Sequence, residues 1–529
     1  MSTRPMTVRM AWLCLCACSL LAACSKRAPV REATDSGAGG MGTDAAASAD
    51  SASSDAATAP DAAVSAHTLS LEQLRDPETC KGCHPVHYRE WSASMHAYAA
   101  LDPVFLAMNK RGQRETHGAL GDFCVKCHAP MAVFDKLTKD GLNLAQLPDA
   151  QRGVSCYFCH NVVGVDGDHN GMLRIANDST MRGPIGDPMT PPVHGAEHSD
   201  FVDDTTPDSS AMCGACHDVV TPKGVRLERT FQEFKSGIFS KSATGEPPSF
   251  DSCVGCHMPP RGGLAAVQPS GAPQRAVHEH LWPAVDLPLT GFPFSQALRS
   301  AVEACALQKS VGFFTLEVTP PDLFTFQMEA GAGHNQPSGA AQDRRMWLEF
   351  LAYDKDGKLL ETVSSGNIAD GEIEDKAEDD PKHDPRLLMF RDRIYDADGK
   401  PVHMFWDVEK SAAHPDGHEA AMLPPATTTY VDGKHAVVKQ YRARGPDGAL
   451  PARVTARLRI RPVGLDVLQD LVDSGDLDPA VVAKMQTLSF GPGIEWTPAD
   501  GLMKPIAAKT QADCGTYRCL LDPSLPNCK

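Results

Sequence analysis

The chain has 529 residues and a formal net charge of −17, with 67 acidic residues against 50 basic ones. This balance argues against nucleic acid as a partner and provides no general attraction to anionic membrane surfaces. Hydrophobic residues make up 42% of the chain, and its length predicts about two or three domains.

The N-terminus, residues 1–23, has the pattern of a signal peptide. Two arginines precede an apolar run, Met10 to Ala23, that is too short to span a bilayer permanently. The run ends in Leu21-Ala22-Ala23-Cys24, which resembles a bacterial lipobox. That resemblance implies an exported lipoprotein with a lipid anchor on Cys24. The alternative is ordinary cleavage nearby, with Cys24 incidental.

Ser25 follows the cysteine, and the lipoprotein sorting rule then favours the outer membrane, facing either the periplasm or the cell surface. Residues 24–67 consist largely of Ala, Ser, Asp, Gly and Thr, with few large apolar residues. Such a segment cannot bury a core, so we expect a disordered tether that lets a folded body move away from the lipid.

Five segments then share the form C-x-x-C-H. They are Cys80/Cys83/His84, Cys124/Cys127/His128, Cys156/Cys159/His160, Cys213/Cys216/His217 and Cys253/Cys256/His257. Two thiols at this spacing add to the two vinyl groups of one porphyrin, and the following histidine ligates its iron. The pattern therefore predicts five covalently bound haems c, with these ten cysteines as attachment points and these five histidines as proximal ligands.

Cysteine pairs also build zinc ribbons, thioredoxin-like centres and disulfides. None of these alternatives requires a histidine after every pair. Consecutive motifs follow one another closely, with the shortest interval from Cys124 to Cys156 and the longest from Cys156 to Cys213. So little polypeptide per haem implies that the porphyrins form much of the core and lie close together.

The second axial ligand of each iron separates an electron carrier from an enzyme, because two strong ligands close the metal to substrate. Histidines outside the motifs are numerous enough for five bis-histidine haems. Those before the C-terminal region are His67, His87, His96, His117, His169, His194, His198, His278 and His280, with His334 further on.

Trp91-Ser92-Ala93-Ser94-Met95-His96 resembles a segment of cytochrome c-554-related multihaem proteins in which the histidine is a distal ligand. The resemblance continues through Gly153-Val154-Ser155-Cys156, His169-Asn170-Gly171, Cys256-His257-Met258-Pro259 and Gly333 to Gly339, followed by Arg344-Arg345. It implies a scaffold related to hydroxylamine oxidoreductase. On that basis we predict His96, His169, His194, His280 and His334 as distal ligands, with their pairing open.

Three local expectations accompany this ligand set. His96 is expected on a helix over Val86 to Ala100. His278 and His280 face the same side of an extended segment, so one of them reaches a given iron, and His280 is preferred. His87 lies one helical turn after His84 and cannot reach the opposite face of the same haem, so a packed or solvated side chain is expected.

Beyond Pro288 the pattern changes to short apolar runs and alternation, which predicts strands over Val311–Leu316, Phe324–Glu329, Met346–Tyr353, Val437–Ala443 and Val454–Ile460. Asp354 to Lys358 and Asp396 to Lys400 are predicted as hairpin turns rather than calcium loops. The predicted fold class is α+β multidomain: a mostly helical and irregular pentahaem domain (68–288), a β-sandwich-like domain (289–510) and a cysteine-containing tail (511–529).

Cys305, Cys514, Cys519 and Cys528 remain after lipid and haem are assigned. An even number in an oxidising compartment predicts two disulfides, with three connectivities open.

The functional hypothesis is electron transfer by a lipid-anchored cytochrome between a respiratory donor and another redox protein or external acceptor. The alternative is a haem-based oxidoreductase acting on a small nitrogen compound at an open haem. The electron carrier is favoured because all five motifs end in histidine, whereas the pentahaem nitrite reductase site resembles C-x-x-C-K. In addition, the chain has only eight tyrosines, none marked as a cross-link to a special porphyrin. A partner-recognising β domain is a third possibility.

Overall fold

The structure is a computed structural model. It describes residues 68–189, 193–240, 251–268, 271–367, 383–425, 435–506, 514–523, 525 and 528. The predicted signal peptide, Cys24 and the tether lie outside the described residues. In the described part, no helix combines the length and apolar character that a bilayer span requires.

The first half of the described chain contains short helices. They are α1 (Leu71–Arg75), α2 (Pro77–Cys80), α3 (Pro85–Ser92), α4 (Met95–Tyr98), α5 (Pro103–Glu115), α6 (Val125–His128), α7 (Pro130–Phe134), α8 (Cys156–His160), α9 (Pro207–His217), α10 (Thr230–Ser236) and α11 (Cys253–His257).

Small two-stranded sheets lie between these helices, where only helices and loops were expected. Their strands are β1 (Val162–Val165), β2 (Leu173–Ile175), β3 (Thr180–Gly183), β4 (Gly195–His198), β5 (Asp218–Val220), β6 (Arg226–Arg229), β7 (Pro260–Gly263) and β8 (Arg275–His278). They pair as β1-β2, β3-β4, β5-β6 and β7-β8. Strands of three or four residues carry too little alternation to be recognised in the sequence.

The predicted helix over Val86 to Ala100 is wrong in one respect, because the structure divides it into α3 and α4. Ser94 has extended backbone dihedrals, and its hydroxyl accepts a hydrogen bond from the Ala97 backbone N–H. A serine in this role begins a new helix. The break places His96 in the first turn of the short helix α4.

The second half is β-rich, as predicted. After α12 (Ser295–Ala301), a π-helical turn (Val302–Ala306) and α13 (Leu307–Lys309), its strands are β9 (Val311–Thr319), β10 (Leu323–Ala330), β11 (Arg345–Tyr353), β12 (Met389–Tyr395), β13 (Pro401–Val402), β14 (His418–Ala421), β15 (Val437–Arg442), β16 (Arg453–Arg461), β17 (Leu488–Trp496) and β18 (Met503–Pro505). Its remaining helices are α14 (Leu465–Asp473), α15 (Pro479–Val482) and α16 (Thr516–Leu521).

These strands form two packed sheets. One has the order β15-β10-β9, and the other runs β13-β12-β11-β16-β17-β18 with β14 on β12. Between them, Phe324 and Phe326 of β10 lie 5.6 and 5.8 Å from Phe350 of β11, measured between ring centroids. Tyr441 of β15 stacks on Phe350 at 4.4 Å. The predicted sandwich-like core is therefore confirmed.

All five predicted strands are present, with only small differences at their ends. Both predicted turns are confirmed as well. The Asp354 and Asp396 carboxylates each accept backbone hydrogen bonds from within their own turn. Gly357 and Gly399 have φ near +78° and +77°, where a side chain would be strained.

The helical and β-rich regions share packing. Residues 67–529 form one compact unit, and its largest apolar core joins Ala93, Leu281 and Leu287 to the strands of the sandwich. Arg229 of β6 also pairs with the fully buried Asp392 of β12 at 2.7 Å. The boundary at residue 289 thus stays a prediction that rests on the change of secondary structure.

Two disulfides are present, as the cysteine count predicted. Cys305 pairs with Cys514, 209 residues later, and Cys519 pairs with Cys528, 9 residues later. The first joins the segment after α12 to the tail, and the second closes a small loop within the tail. This selects one of the three connectivities that the sequence left open.

We expect the long-range disulfide to stabilise the fold more than the short one. In the chain-entropy account, closing so long a loop contributes about 3 kcal/mol more than closing the short one. Replacing Cys305 and Cys514 by alanine should therefore lower the free energy of unfolding by about 3 kcal/mol more than replacing Cys519 and Cys528. Urea unfolding followed by circular dichroism measures both. Equal losses would contradict this ranking.

Candidate functional site

Four of the five C-x-x-C-H motifs adopt helical turns. The third and fifth form α8 and α11, whose N-caps are Ser155 and Ser252, each accepting a backbone N–H three residues later. The fourth ends the longer helix α9, and the second ends α6. In a helical turn, residues i, i+3 and i+4 share one face. Both thiols and the histidine of such a motif therefore point to the same side, as attachment to one porphyrin requires.

The first motif lies in a turn that directly follows α2, which ends at Cys80. The backbone N–H groups of Cys83 and His84 both donate to the Cys80 carbonyl oxygen, at 3.2 and 2.8 Å, and the second motif makes the same two bonds. The first motif therefore curls as the second does. The Cys83 carbonyl oxygen accepts a hydrogen bond from the Val267 N–H at 2.8 Å. The roles of all ten motif cysteines as attachment points stay predictions.

The ten motif cysteines are free thiols, whereas the other four described cysteines are in disulfides. Thiols from different motifs contact one another in three pairs: Cys80 with Cys156, Cys127 with Cys216, and Cys213 with Cys253. The hydrogen bond that the Cys156 thiol donates to the Cys80 sulfur and burial together raise the pKa of Cys156 well above its usual value. The attachment points of different motifs are thus direct neighbours.

Four motif histidines face a second histidine from a distant part of the chain. The ring centroids are separated by 6.4 Å for His84 and His194, 6.2 Å for His217 and His96, 6.2 Å for His160 and His280, and 6.4 Å for His257 and His334. Metal–imidazole nitrogen bonds are about 2 Å long, so two imidazoles on opposite sides of one metal have centroids roughly 6 Å apart. The four pairs have the spacing of axial ligands.

The hydrogen bonds of several motif and distal histidines also orient their rings for ligation. Nδ1 of His84 lies 2.7 Å from the Ala265 carbonyl oxygen and Nδ1 of His128 lies 3.0 Å from that of Ala99. Nδ1 of His194 and of His334 bond carbonyl oxygens at 2.7 and 2.9 Å. An Nδ1–H that donates to a carbonyl leaves Nε2 as the free lone pair, which is how ligand histidines are held in metalloproteins.

Burial favours the neutral form of four of these imidazoles, which is the form that binds a metal. It lowers the pKa of His96 to about 3 and those of His217 and His257 to about 4. It also lowers the pKa of His280 well below its usual value, helped by the neighbouring His87 and His160. The paired histidines and the adjacent thiols therefore fit an iron porphyrin attached at each of these motifs.

Comparison with known proteins agrees with this geometry. Residues 79–161, which contain the first three motifs, match the family described as cytochrome c554 and c-prime. The chain is similar to the crystal structure of a penta-heme cytochrome c552 from Thermochromatium tepidum, with a TM-score of 0.51 and 21% identity, covering 80% of this chain and 98% of that one. No curated protein is significantly similar to the chain.

The chain is a multihaem c-type cytochrome. Its cysteines bind haem c covalently, and electron transfer is the activity that this class of protein implies. The predicted resemblance and the α+β fold class are confirmed. The ligand roles of individual histidines stay predictions.

His278 and His280 have different environments in the cytochrome. His278 is engaged at both nitrogens, since Nδ1 lies 2.6 Å from the Met258 carbonyl oxygen and Nε2 lies 3.5 Å from a carboxylate oxygen of Asp204. His280 bonds only through Nδ1, to the His278 carbonyl oxygen at 2.9 Å, and its ring faces His160. This geometry supports the preference for His280.

His334 is held by a loop that the helical region fixes. Glu233 of α10 accepts hydrogen bonds from the Asn335 backbone N–H at 3.2 Å and from its side-chain amide at 2.7 Å. The Ser338 hydroxyl donates to the same carboxylate at 2.7 Å. A residue of the β-rich region is thereby placed opposite His257, the histidine of the fifth motif.

His128, in the second motif, differs from the other four. Among the described residues, only the Phe105 ring stacks on its imidazole, at 3.9 Å and nearly parallel. His169, the remaining predicted ligand, has its Nδ1 2.8 Å from Asp168. Close by in the chain, Gly171 lies so near the Cys127 sulfur that a Cβ would be 3.2 Å from it. The His169 loop thus adjoins the second motif without placing two rings face to face.

His87 is packed rather than solvated. Its ring lies edge-on to His280 at 5.0 Å and to His84 at 6.2 Å, and burial lowers its pKa to about 3. It therefore lies between ligand candidates of the first and third motifs. Its position one helical turn after His84 excluded it as the distal ligand of the first haem. Its proximity to His280, which is distant in the chain, left no signal in the sequence.

Replacing His278 and His280 one at a time should show which of the two is the ligand. The variant His280→Ala removes the imidazole that faces His160, so we expect one low-spin haem to become high-spin in electron paramagnetic resonance (EPR) spectra. His278→Ala is the matched control and should keep every haem low-spin, because its nitrogens bond Met258 and Asp204. The reverse pattern would assign the ligand to His278.

Proposed function

We propose that this cytochrome is a pentahaem electron carrier whose irons are all bound by two histidines. It is anchored to the outer membrane through lipidated Cys24 and relays electrons in a respiratory or extracellular chain. The observation that carries the proposal is the set of four histidine pairs at 6.2–6.4 Å. An iron closed by two imidazoles changes its coordination little between ferric and ferrous states, which suits outer-sphere electron transfer.

The count of five haems follows from the five motifs, each with its own pair of free thiols. His169 is the proposed partner of His128. The other four predicted distal histidines already face a motif histidine, and the His169 loop adjoins Cys127. Asp168 bonds Nδ1 of His169 and also accepts a 2.7 Å hydrogen bond from Gln232, so a carboxylate orients this ring.

The contacts between motifs support rapid electron movement within the chain. The Cys80–Cys156, Cys127–Cys216 and Cys213–Cys253 contacts bring the attachment points of the first and third, second and fourth, and fourth and fifth motifs together. Through-protein electron transfer is fastest between close centres. The chain therefore holds its redox centres in neighbouring groups rather than as isolated sites.

The membrane role rests on the sequence. The lipobox-like Leu21 to Cys24 would anchor the protein, and residues 24–67 would let the folded body reach a redox protein partner. The net charge of −17 favours a partner with a basic docking face, because complementary charge accelerates encounter. Donor and acceptor would then be recognised mainly through electrostatics.

A second candidate function has one observation in its favour. In the described part of the chain, no imidazole stacks opposite His128, so the second haem is the one that an open iron would suit. A haem with a free position can bind nitrite or hydroxylamine. The alternative is therefore an oxidoreductase that acts on a small nitrogen compound at the second motif.

Haem quantification and low-temperature EPR of the oxidised protein distinguish the two functions. We expect five haems per chain by pyridine haemochrome, only low-spin signals, and no change on adding nitrite or hydroxylamine. His169→Ala should create one high-spin haem that does respond to nitrite. A high-spin signal of this kind in the wild-type protein would instead favour the oxidoreductase.

Lipid anchoring is tested by Cys24→Ser. Without the thiol there is no site for the diacylglycerol group, so we expect the lipid-linked, membrane-bound form to be lost. The haem content per folded chain should not change, because residue 24 lies outside all five motifs. Membrane fractionation and metabolic labelling with a radioactive fatty acid measure the loss. Fatty-acid incorporation in the variant equal to that of the wild type would refute the anchor.

A further inference from the structure

The His96–His217 pair differs from the other three in the angle between its rings. The planes are 28° apart for His84 and His194, 16° for His160 and His280, and 13° for His257 and His334. For His96 and His217 the angle is 81°. Three pairs are thus nearly parallel, and the pair at the fourth motif is nearly perpendicular.

Trp282 explains how the His96 ring is held in this orientation. Its indole lies 4.6 Å from the His96 ring at an interplanar angle of 88° and 5.4 Å from the His280 ring at 76°. This edge-to-face contact restricts rotation of the His96 ring toward the plane of His217. One side chain therefore packs between the distal histidines of the third and fourth motifs.

The backbone conformation of Trp282 indicates that the surrounding structure holds this side chain in place. Its φ is +46°, in the left-handed region, which bulky residues occupy only when surrounding structure imposes it. Such conformations are strained and concentrate at functional sites. A strained tryptophan between two ligand histidines fits a positioning role better than a general packing role.

Hydrogen bonding sets the same pair apart. His84, His128, His194, His280 and His334 each bond a carbonyl oxygen through Nδ1. Within the described residues, neither His96 nor His217 makes such a bond. A hydrogen bond from Nδ1–H makes an imidazole a stronger donor and stabilises ferric iron. Ligands that lack it favour the ferrous state.

The ring angle acts on the iron as well. Two parallel imidazoles interact with the same iron dπ orbital and separate it in energy from the other. Perpendicular imidazoles interact with one dπ orbital each and leave the two nearly degenerate. The resulting low-spin ferric centre has a highly anisotropic EPR signal at a larger g value, and its potential is higher than with parallel rings.

We propose that the haem at the fourth motif is electronically distinct and has the highest reduction potential in the chain, and that Trp282 is the positioning residue that holds His96 perpendicular to His217. The proposal rests on the bis-histidine ligation proposed above. Each reduction is a one-electron step, in which a ferrous iron elsewhere is oxidised and this ferric iron is reduced, with no bond made or broken.

The position of the fourth motif suits an electron-collecting centre. Cys216 contacts Cys127 of the second motif, and Cys213 contacts Cys253 of the fifth. Electrons that enter at either of these two neighbours therefore reach the fourth motif directly.

The test is an EPR-monitored reductive titration of the holoprotein and of Trp282→Leu. In the wild type we expect a large-g low-spin signal that disappears first as the potential is lowered. In Trp282→Leu, one haem equivalent of this signal should convert to an ordinary rhombic low-spin signal, reduced at a lower potential. Trp282→Phe keeps an aromatic edge against His96 and should restore the wild-type spectrum.

Phe105→Leu is the matched control, because it removes the aromatic ring against His128 in the second motif. It should leave the fourth-motif signal and its titration unchanged. The proposal is overturned if the wild type has no large-g signal, if that signal survives in Trp282→Leu, or if it is reduced last. With five low-spin haems still present, any of these results contradicts this proposal alone. High-spin haem in the wild type would instead contradict the bis-histidine ligation.

Discussion

The structure depends on pairs of histidines that come from distant parts of the chain and face each other at the spacing of one metal ion. The shortest interval along the chain is from His257 to His334, and the longest is from His96 to His217. Each pair closes a long loop, which is entropically costly. A metal that bound both rings of a pair would offset this cost, so under the proposed bis-histidine ligation folding and haem attachment would be coupled.

The pairing of distant histidines also involves the β-rich region. His334 lies in the loop after β10, yet Glu233 of the helical region fixes that loop opposite the fifth motif. At the other end of the chain, Tyr517 and Arg518 contact the buried Glu279, next to His280. The disulfide between Cys305 and Cys514 ties this tail to the start of the sandwich. The ligand set thus depends on all parts of the described chain.

Features that depend on local spacing were predictable from the sequence. Alternation identified strands such as β10 and β16, and the C-x-x-C-H motifs gave the attachment points, which stay predictions. The perpendicular arrangement of His96 and His217 was not predictable, because it depends on Trp282, which lies far from His96 in the chain. The break at Ser94 was also missed, since a single capping hydroxyl overrides a continuous helical pattern there. Long-range packing and side-chain capping are difficult to predict from a single sequence.

The contacts between thiols of different motifs have a consequence for biogenesis. In an oxidising compartment, Cys80 beside Cys156, or Cys127 beside Cys216, is a ready site for an unwanted cross-link. Each thioether bond to a porphyrin removes one thiol from that competition. Under the proposed export, the apoprotein would have to be kept reduced and open until its cofactors were attached, because disulfides between motifs would trap a chain that folded early.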